Sequence, residues 1–324
     1  MNKQPDQVLV AIAGSFNPHV IERVTENFRT VRFARADPAL VTPEVAAQVR
    51  GLAALCPVDA AFIDAFPNLE IVAGGGVGYD TIDVARCVER GIVLTNTPDV
   101  LTDEVADAAI GLLLNTLREL PQAEAFLRAG RWARGERFPP TKATLRERHV
   151  GIYGMGRIGL AVAKRLEGFG IRISYHNRRP VEGVAYGYQP SLLALAEAVD
   201  TLICVAPGGA ATAHAINADI LKALGPHGVF INVGRGSTVD EAALIEALRD
   251  GTIMAAGLDV FEDEPHVPQA LIDLPNASLL PHIASATLHT RRAMGELTFG
   301  NLESWFRDGR ALTPVPETSG IVRA

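Results

Sequence analysis

Three polar side chains stand shortly after apolar, strand-like runs: Arg235 in Asn232-Val233-Gly234-Arg235-Gly236, Glu264 in Phe261-Glu262-Asp263-Glu264-Pro265, and His282 directly after Pro281. Together these residue types suit hydride transfer to a 2-oxo acid. A guanidinium binds the substrate carboxylate and polarises the ketone. An imidazole gives a proton to the carbonyl oxygen during reduction and takes it back during oxidation. A carboxylate beside the imidazole orients the ring and favours its charged form. Singly, each has an ordinary reading as a surface arginine, a solvated acid or a turn histidine. Their joint occurrence downstream of a dinucleotide-type turn is what points to chemistry.

That turn follows His149-Val150-Gly151-Ile152-Tyr153, which leads into Gly154-Met155-Gly156-Arg157-Ile158-Gly159 and a helical stretch over residues 160–169. In a strand, G-x-G-x-x-G, helix arrangement, Gly154 permits the tight turn, Gly156 lets a pyrophosphate approach the backbone, and Gly159 lets the helix pack on the strand. The exposed amides of the helix N-terminus then hold the anion. Glycines also gather at turns for steric reasons alone, so the fingerprint takes its weight from the flanking strand and helix and from a second strand at residues 172–175. An NAD site normally ends that second strand in Asp or Glu to bind the ribose 2′-hydroxyl. Here it runs into His176-Asn177-Arg178-Arg179-Pro180, with no carboxylate. Two guanidiniums neutralise a 2′-phosphate, so these residues predict NADP(H) rather than NAD(H). The competing reading is a solvated pair of loop arginines.

Positioning such groups requires alternating strands and helices. Residues 8–13 form a continuous apolar run followed by an amphipathic stretch over 20–28, and the alternation recurs along most of the chain. Further strands are expected at 51–55, 69–73, 93–95, 150–153, 172–175, 201–205, 229–233, 254–258 and 277–280. The expected class is α/β with parallel sheets. Thr97-Pro98 breaks helix, while Thr102, Asp103 and Glu104 start one, which suggests a boundary near residue 100. Residues 128–148, rich in arginine, glycine and proline with Trp132 and Phe138, read as a projecting loop. A long helical pattern covers residues 287–308; periodicity alone does not assign it to either half.

Composition excludes several functions. At about 150 residues per domain, 324 residues imply about two domains. With 30 basic against 37 acidic residues and a net charge of −7, no global field draws in nucleic acid or an anionic membrane. The eight histidines fall singly without H-E-x-x-H spacing, so no metal is expected. Cys56, Cys87 and Cys204 form no C-x-x-C pair and read as buried thiols in a reducing compartment. No run of about 18 apolar residues occurs, and the N-terminal apolar run is too short for a signal peptide, so a cytoplasmic protein is expected.

The sequence resembles the D-isomer-specific 2-hydroxyacid dehydrogenase family over essentially its whole length. The resemblance rests on Gly76-Val77-Gly78-Tyr79-Asp80, Asn96-Thr97-Pro98-Asp99-Val100-Leu101-Thr102, the glycine fingerprint, Val233-Gly234-Arg235-Gly236, Gly257-Leu258-Asp259-Val260-Phe261 and Leu280-Pro281-His282. It is strongest to the NADPH-dependent glyoxylate/hydroxypyruvate reductases and the similar hydroxyphenylpyruvate reductases. It implies two Rossmann-like or flavodoxin-like domains with the active site in the cleft between them. Residues 1–99 plus 288–324 would form a discontinuous substrate domain, and 100–287 an NADP-binding Rossmann domain. Arg235, Glu264 and His282 match the family's catalytic trio. Gly154, Met155, Gly156, Arg157, Ile158, Gly159, Asn177, Arg178, Arg179, Val205, Ala206, Val233, Gly234 and Asp259 match cofactor positions, with Asp259 near the nicotinamide.

On the substrate side, Val77 and Gly78 match a loop whose amides help bind the substrate carboxylate, together with Arg235 and His282. Residues 52–56, including Leu52 and Ala53, match a second substrate-facing loop that is shorter and more apolar than in many relatives. The implied reaction is reduction of glyoxylate or hydroxypyruvate to a D-2-hydroxy acid. Alternatives are a reductase of hydroxyphenylpyruvate or phenylpyruvate, which an apolar loop would suit, and a non-catalytic dinucleotide-sensing binding protein. The resemblance also implies a homodimer embraced through residues 128–138, where Trp132 reaches the partner's active site, anchors the interface or packs in the core. Hinge closure is expected near residues 98–102 and 284–287.

Overall fold

The computed structural model describes residues 7–323. The chain divides into two compact units, Met1–Leu101 with Thr287–Ala324, and Thr102–Ala286.

The first unit runs β1 (Leu9–Gly14), α1 (Pro18–Asn27), β2 (Arg29–Phe33), α2 (Pro43–Ala46), β3 (Val49–Leu55), α3 (Ala60–Asp64), β4 (Ile71–Gly74), α4 (Val84–Glu89) and β5 (Val93–Thr95). Its sheet is wholly parallel, in the order β2-β1-β3-β4-β5. The helices start where side chains accept first-turn amides: Asn17 for α1, Asp59 for α3 and Asp83 for α4. Alternate residues of β3 serve opposite faces of the sheet. Leu52 and Ala54 join Phe62 and Phe66 on one face, while Ala53 joins Phe299, Leu302 and Phe306 on the other.

That register corrects one expectation. Leu52 and Ala53 are fully buried, paired with Ala11 and Ile12 of β1 and with Val72 and Ala73 of β4, so neither faces a substrate. The apolar run is a central strand of a two-sided sheet, and the loop begins only after Leu55.

The second unit begins with α5 (Thr102–Arg118) and α6 (Leu120–Arg128), then β6 (His149–Tyr153), α7 (Arg157–Glu167), β7 (Arg172–His176), β8 (Gly187–Tyr188) and α8 (Leu192–Ala198). It continues through β9 (Thr201–Cys204), α9 (Ala218–Leu224), β10 (Val229–Asn232), α10 (Glu241–Arg249), β11 (Ala255–Leu258), α11 (Gln269–Ile272) and β12 (Ala277–Leu279). Its parallel strands follow the order β12-β11-β10-β9-β6-β7-β8. Chain order reverses between β6 and β9, the switch point where open parallel sheets open a crevice beyond their carboxyl ends. The last helix, α12 (Leu288–Asp308), capped by Thr287, packs on α1, β3 and β4 of the first unit. Gly295 makes that contact possible, since a Cβ there would lie 2.2 Å from Val20 Cγ2.

Cys87 and Cys204 are buried as expected, but Cys56 is only half-buried, because it follows the end of β3. No helix among the described residues is long and apolar enough to cross a membrane.

Candidate active site

Three strand ends of the second unit meet at the glycine turn. Gly154 is left-handed (φ +105°), and a Cβ on it would lie 2.9 Å from Ala206 N. Gly234 approaches the same peptide from β10, its missing Cβ 2.7 Å from Ala206 O. Gly159 is needed at the start of α7, where a Cβ would come 2.2 Å from the Gly154 carbonyl. Val205, Ala206 and Gly234 thus gather around Gly154 as a single floor. Gly156, Arg157 and Ile158 open α7 with no acidic residue in its first turn, and a Cβ on Gly156 would meet nothing within 4 Å. This open, uncapped helix end is a cradle for a phosphate anion.

The end of β7 is tied to that turn by Asn177, whose Oδ1 accepts the Met155 N–H at 2.6 Å while Nδ2 donates to the Met155 carbonyl at 3.4 Å. Asn177 therefore shapes the glycine turn as well as bordering it. Arg178 and Arg179 are exposed beyond it, and among the described residues neither makes an ion pair. A phosphate at the end of β7 would meet two guanidiniums and no opposing carboxylate from that strand. These residues fit a dinucleotide bearing a 2′-phosphate.

Arg235, Glu264 and His282 follow β10, β11 and β12, three neighbours in the sheet. Asn232 sets the first: its Oδ1 accepts the Gly234 N–H and its Nδ2 donates to the Arg235 carbonyl, both at 3.0 Å. The Thr238 hydroxyl donates to the same carbonyl at 2.7 Å. Glu264 accepts the Phe261 N–H through Oε1 at 3.0 Å and meets His282 Nδ1 through Oε2 at 2.6 Å. Burial pushes the Glu264 carboxyl up. The His282 hydrogen bond, the Phe261 amide and the charges of His282 and Arg235 outweigh it and hold the group below the usual carboxylate range. The sequence expectation that Glu264 pairs with His282 therefore describes the geometry observed, and Arg235 lies close enough to act on Glu264 electrostatically.

His282 sits in a left-handed turn (φ +52°) fixed by Asp259. The Asp259 carbonyl accepts the His282 N–H at 2.8 Å, Oδ1 accepts from Ile283 N at 2.8 Å, and Oδ2 from Ala284 N at 2.9 Å. Asp259 is 1% exposed; burial raises its pKa and the two amides oppose that rise. The carboxylate expected beside a nicotinamide is thus committed to the loop carrying His282. Asn232 and this bracket role of Asp259 were missed at the sequence level. An asparagine two residues ahead of the glycine in N-V-G-R is the one local hint.

In the first unit, Val77 and Gly78 lie in a partly exposed loop after β4. Two of its carbonyls are tied to the segment after β5, Gly76 O accepting from Thr97 N at 2.9 Å and Val77 O from Asn96 Nδ2 at 2.8 Å. Trp132, in a short turn after α6, is 69% exposed, which removes core packing from its possible roles. No group of three or more His, Cys, Asp or Glu side chains among the described residues is placed to hold a metal ion.

The profile of the family described as D-isomer specific 2-hydroxyacid dehydrogenase, NAD binding domain, matches residues 110–284. Glyoxylate/hydroxypyruvate reductase A of Arabidopsis thaliana is 49% identical over 79% of this chain and 82% of its own. Hydroxyphenylpyruvate reductase of Plectranthus scutellarioides is 48% identical over the same shares. Among solved structures, the NADPH-dependent glyoxylate/hydroxypyruvate reductase of Sinorhizobium meliloti, in complex with NADP and malonate, superposes with a TM-score of 0.96 at 59% identity, covering 98% of this chain and 99% of that one. The chain belongs to the D-isomer-specific 2-hydroxyacid dehydrogenase family.

Proposed function

We propose that this protein reduces small 2-oxo acids, glyoxylate and hydroxypyruvate, to 2-hydroxy acids of D configuration where chirality applies, with NADPH as reductant. The observation that carries the reading is the 2.6 Å contact between His282 Nδ1 and Glu264 Oε2, with Arg235 acting on the same carboxylate. Reduced nicotinamide supplies the hydride when bound. Because Nδ1 is engaged by Glu264, His282 delivers its proton to the carbonyl oxygen from Nε2 and regains one from solvent. Glu264 holds the ring and balances its positive charge. Arg235 anchors the substrate carboxylate and draws electron density from the ketone.

The cofactor preference rests on Arg178 and Arg179 at the end of β7, supported by the Sinorhizobium relative with NADP. Val205, Ala206, Val233 and Gly234, packed around the glycine turn, would border the dinucleotide. Exposed Leu120, Leu127 and Trp132 on and after α6 support a homodimer formed through this region; sedimentation at micromolar concentration giving only a 34.5 kDa species would remove it. Three unpaired thiols support a reducing, cytoplasmic setting.

The test is loss of reduced-nicotinamide absorbance with NADPH and NADH in parallel against glyoxylate, hydroxypyruvate, phenylpyruvate and hydroxyphenylpyruvate. Rapid NADPH oxidation with the small acids supports the proposal. Activity confined to the aromatic acids moves the assignment to the second reading, which the Plectranthus relative favours. NADPH binding without turnover on any of them would favour a sensor, a role that has no need of the assembled trio.

A further inference from the structure

A second histidine–carboxylate contact lies beside the first. His214 Nε2 meets Glu262 Oε1 at 2.6 Å. His214 lies in the loop between β9 and α9 and, although not glycine, is left-handed there (φ +50°). Its N–H donates to Ser237 O at 2.9 Å, and Ile216 N–H donates to Thr238 O at 2.9 Å, which pins this segment to the turn just after Arg235. Glu262 in turn opens the segment that carries Glu264. Its N–H is held by Glu241 Oε1 at 3.2 Å, and the adjacent Phe261 N–H is the donor that fixes Glu264 Oε1 at 3.0 Å.

Resting on the reductase reading above, we propose that His214 is a positioning residue for the Glu264–His282 pair, acting through Glu262. The path has four links. His214 fixes the Glu262 side chain, which fixes the peptide that follows Phe261. That peptide sets the Phe261 amide, and the amide sets the carboxylate facing His282. The pair is itself exposed, 53% and 41% at its side chains, so its effect on stability is small. What it supplies is the placement of a proton donor's partner, and small misplacement in such a site is costly to turnover.

The experiment compares His214→Ala, His214→Gln, which keeps a side-chain N–H for Glu262, Glu262→Ala, and the His214→Ala/Glu262→Ala double variant. Turnover is read with NADPH and hydroxypyruvate, and melting temperature is followed in parallel. A second readout is independent of turnover: the low-field proton resonance of the hydrogen bond between His282 and Glu264, assigned by its loss in His282→Gln. The expected result is a kcat about tenfold lower in His214→Ala. Both KM values stay within about twofold, the melting temperature is unchanged and the low-field resonance is weakened. His214→Gln recovers most of the loss, and the double variant is no worse than either single one. A normal kcat with an intact resonance in His214→Ala overturns the inference, as does full additivity in the double variant. If the wild-type enzyme turns over none of the 2-oxo acids, the reductase reading falls, and the resonance alone decides whether His214 positions the pair.

Discussion

Gly236 packs against the carbonyl of Phe261 so closely that a Cβ would stand 1.8 Å from that oxygen. This is where the turn bearing Arg235 touches the segment bearing Glu264, and both partners are backbone, so no side chain can swing aside. Gly236→Ala must therefore separate the two segments. Overpacking of this kind costs about 1–3 kcal/mol of stability. The greater effect falls on turnover, where kcat/KM for the 2-oxo acid is expected to drop about a hundredfold while the protein stays folded. Steady-state kinetics beside a melting curve checks this, and a variant with normal kcat/KM would show that the contact does not set the site.

Glu264 carries a pH signature because its partners hold it below the usual carboxylate range. A carboxylate whose pKa is lower in the folded protein stabilises the fold at pH above its ordinary value of 4.5, and that contribution disappears as pH falls through the lower folded value. Melting temperatures of the wild type and Glu264→Gln should therefore differ most near neutrality and converge only as the pH falls through the lowered folded value. A gap that widens toward acid would reverse the sign and refute the assignment. In the same series, His282→Gln is expected to lower kcat by about 10²–10⁴ with the fold intact, the usual range for losing a general acid.

The parts of this molecule legible in its sequence are those whose signals are local. β1 is a continuous apolar run, β6 is apolar from Val150 on, Thr102 with Asp103 and Glu104 marks the start of α5, and the glycines of the turn after β6 stand where the backbone requires them. β2 and β8 lack a strand signal because they are edge strands: Arg29-Thr30-Val31-Arg32-Phe33 carries two exposed arginines and buries only Phe33, and Gly187-Tyr188 is only two residues long. At Leu52 and Ala53 the apolar, strand-like pattern outweighs the resemblance to a substrate-facing loop, because a central strand of a two-sided sheet buries side chains on both faces. Asp259 and Gly236 were opaque for a different reason. Their partners are backbone groups far along the chain, Ile283 and Ala284 for one and Phe261 for the other, and no residue type announces a backbone partner.

Arg178 and Arg179 make the cofactor assignment testable without touching the reacting groups. Each charge-assisted contact to a phosphate is worth about 1.5–3 kcal/mol, roughly ten- to a hundredfold in affinity. Replacing both by serine should raise the KM for NADPH by about two orders of magnitude while leaving NADH almost unaffected. The quantity to measure is the ratio of kcat/KM for the two cofactors with one fixed 2-oxo acid. Equal losses with NADPH and NADH would mean that the arginines support the turn after β6 instead of reading the 2′-phosphate.

Asp259 offers the sharpest separation of position from charge. In the wild type both oxygens accept backbone amides of the His282 loop, from Ile283 and Ala284. Asp259→Asn keeps the volume and removes a buried charge whose pKa is already raised by burial, so the charge itself contributes little that folding would miss. It replaces one acceptor by an NH2 group that faces an N–H donor, however, leaving a buried amide unsatisfied at a cost of about 1–3 kcal/mol. The loop relieves that conflict by moving, and His282 moves with it. Asp259→Asn should therefore keep its cofactor affinity, lose about 10²-fold in kcat, and show a weakened low-field proton between His282 and Glu264. An undiminished kcat would mean that the His282 turn holds its φ of +52° without the bracket, and the loop's own sequence would then have to be the cause.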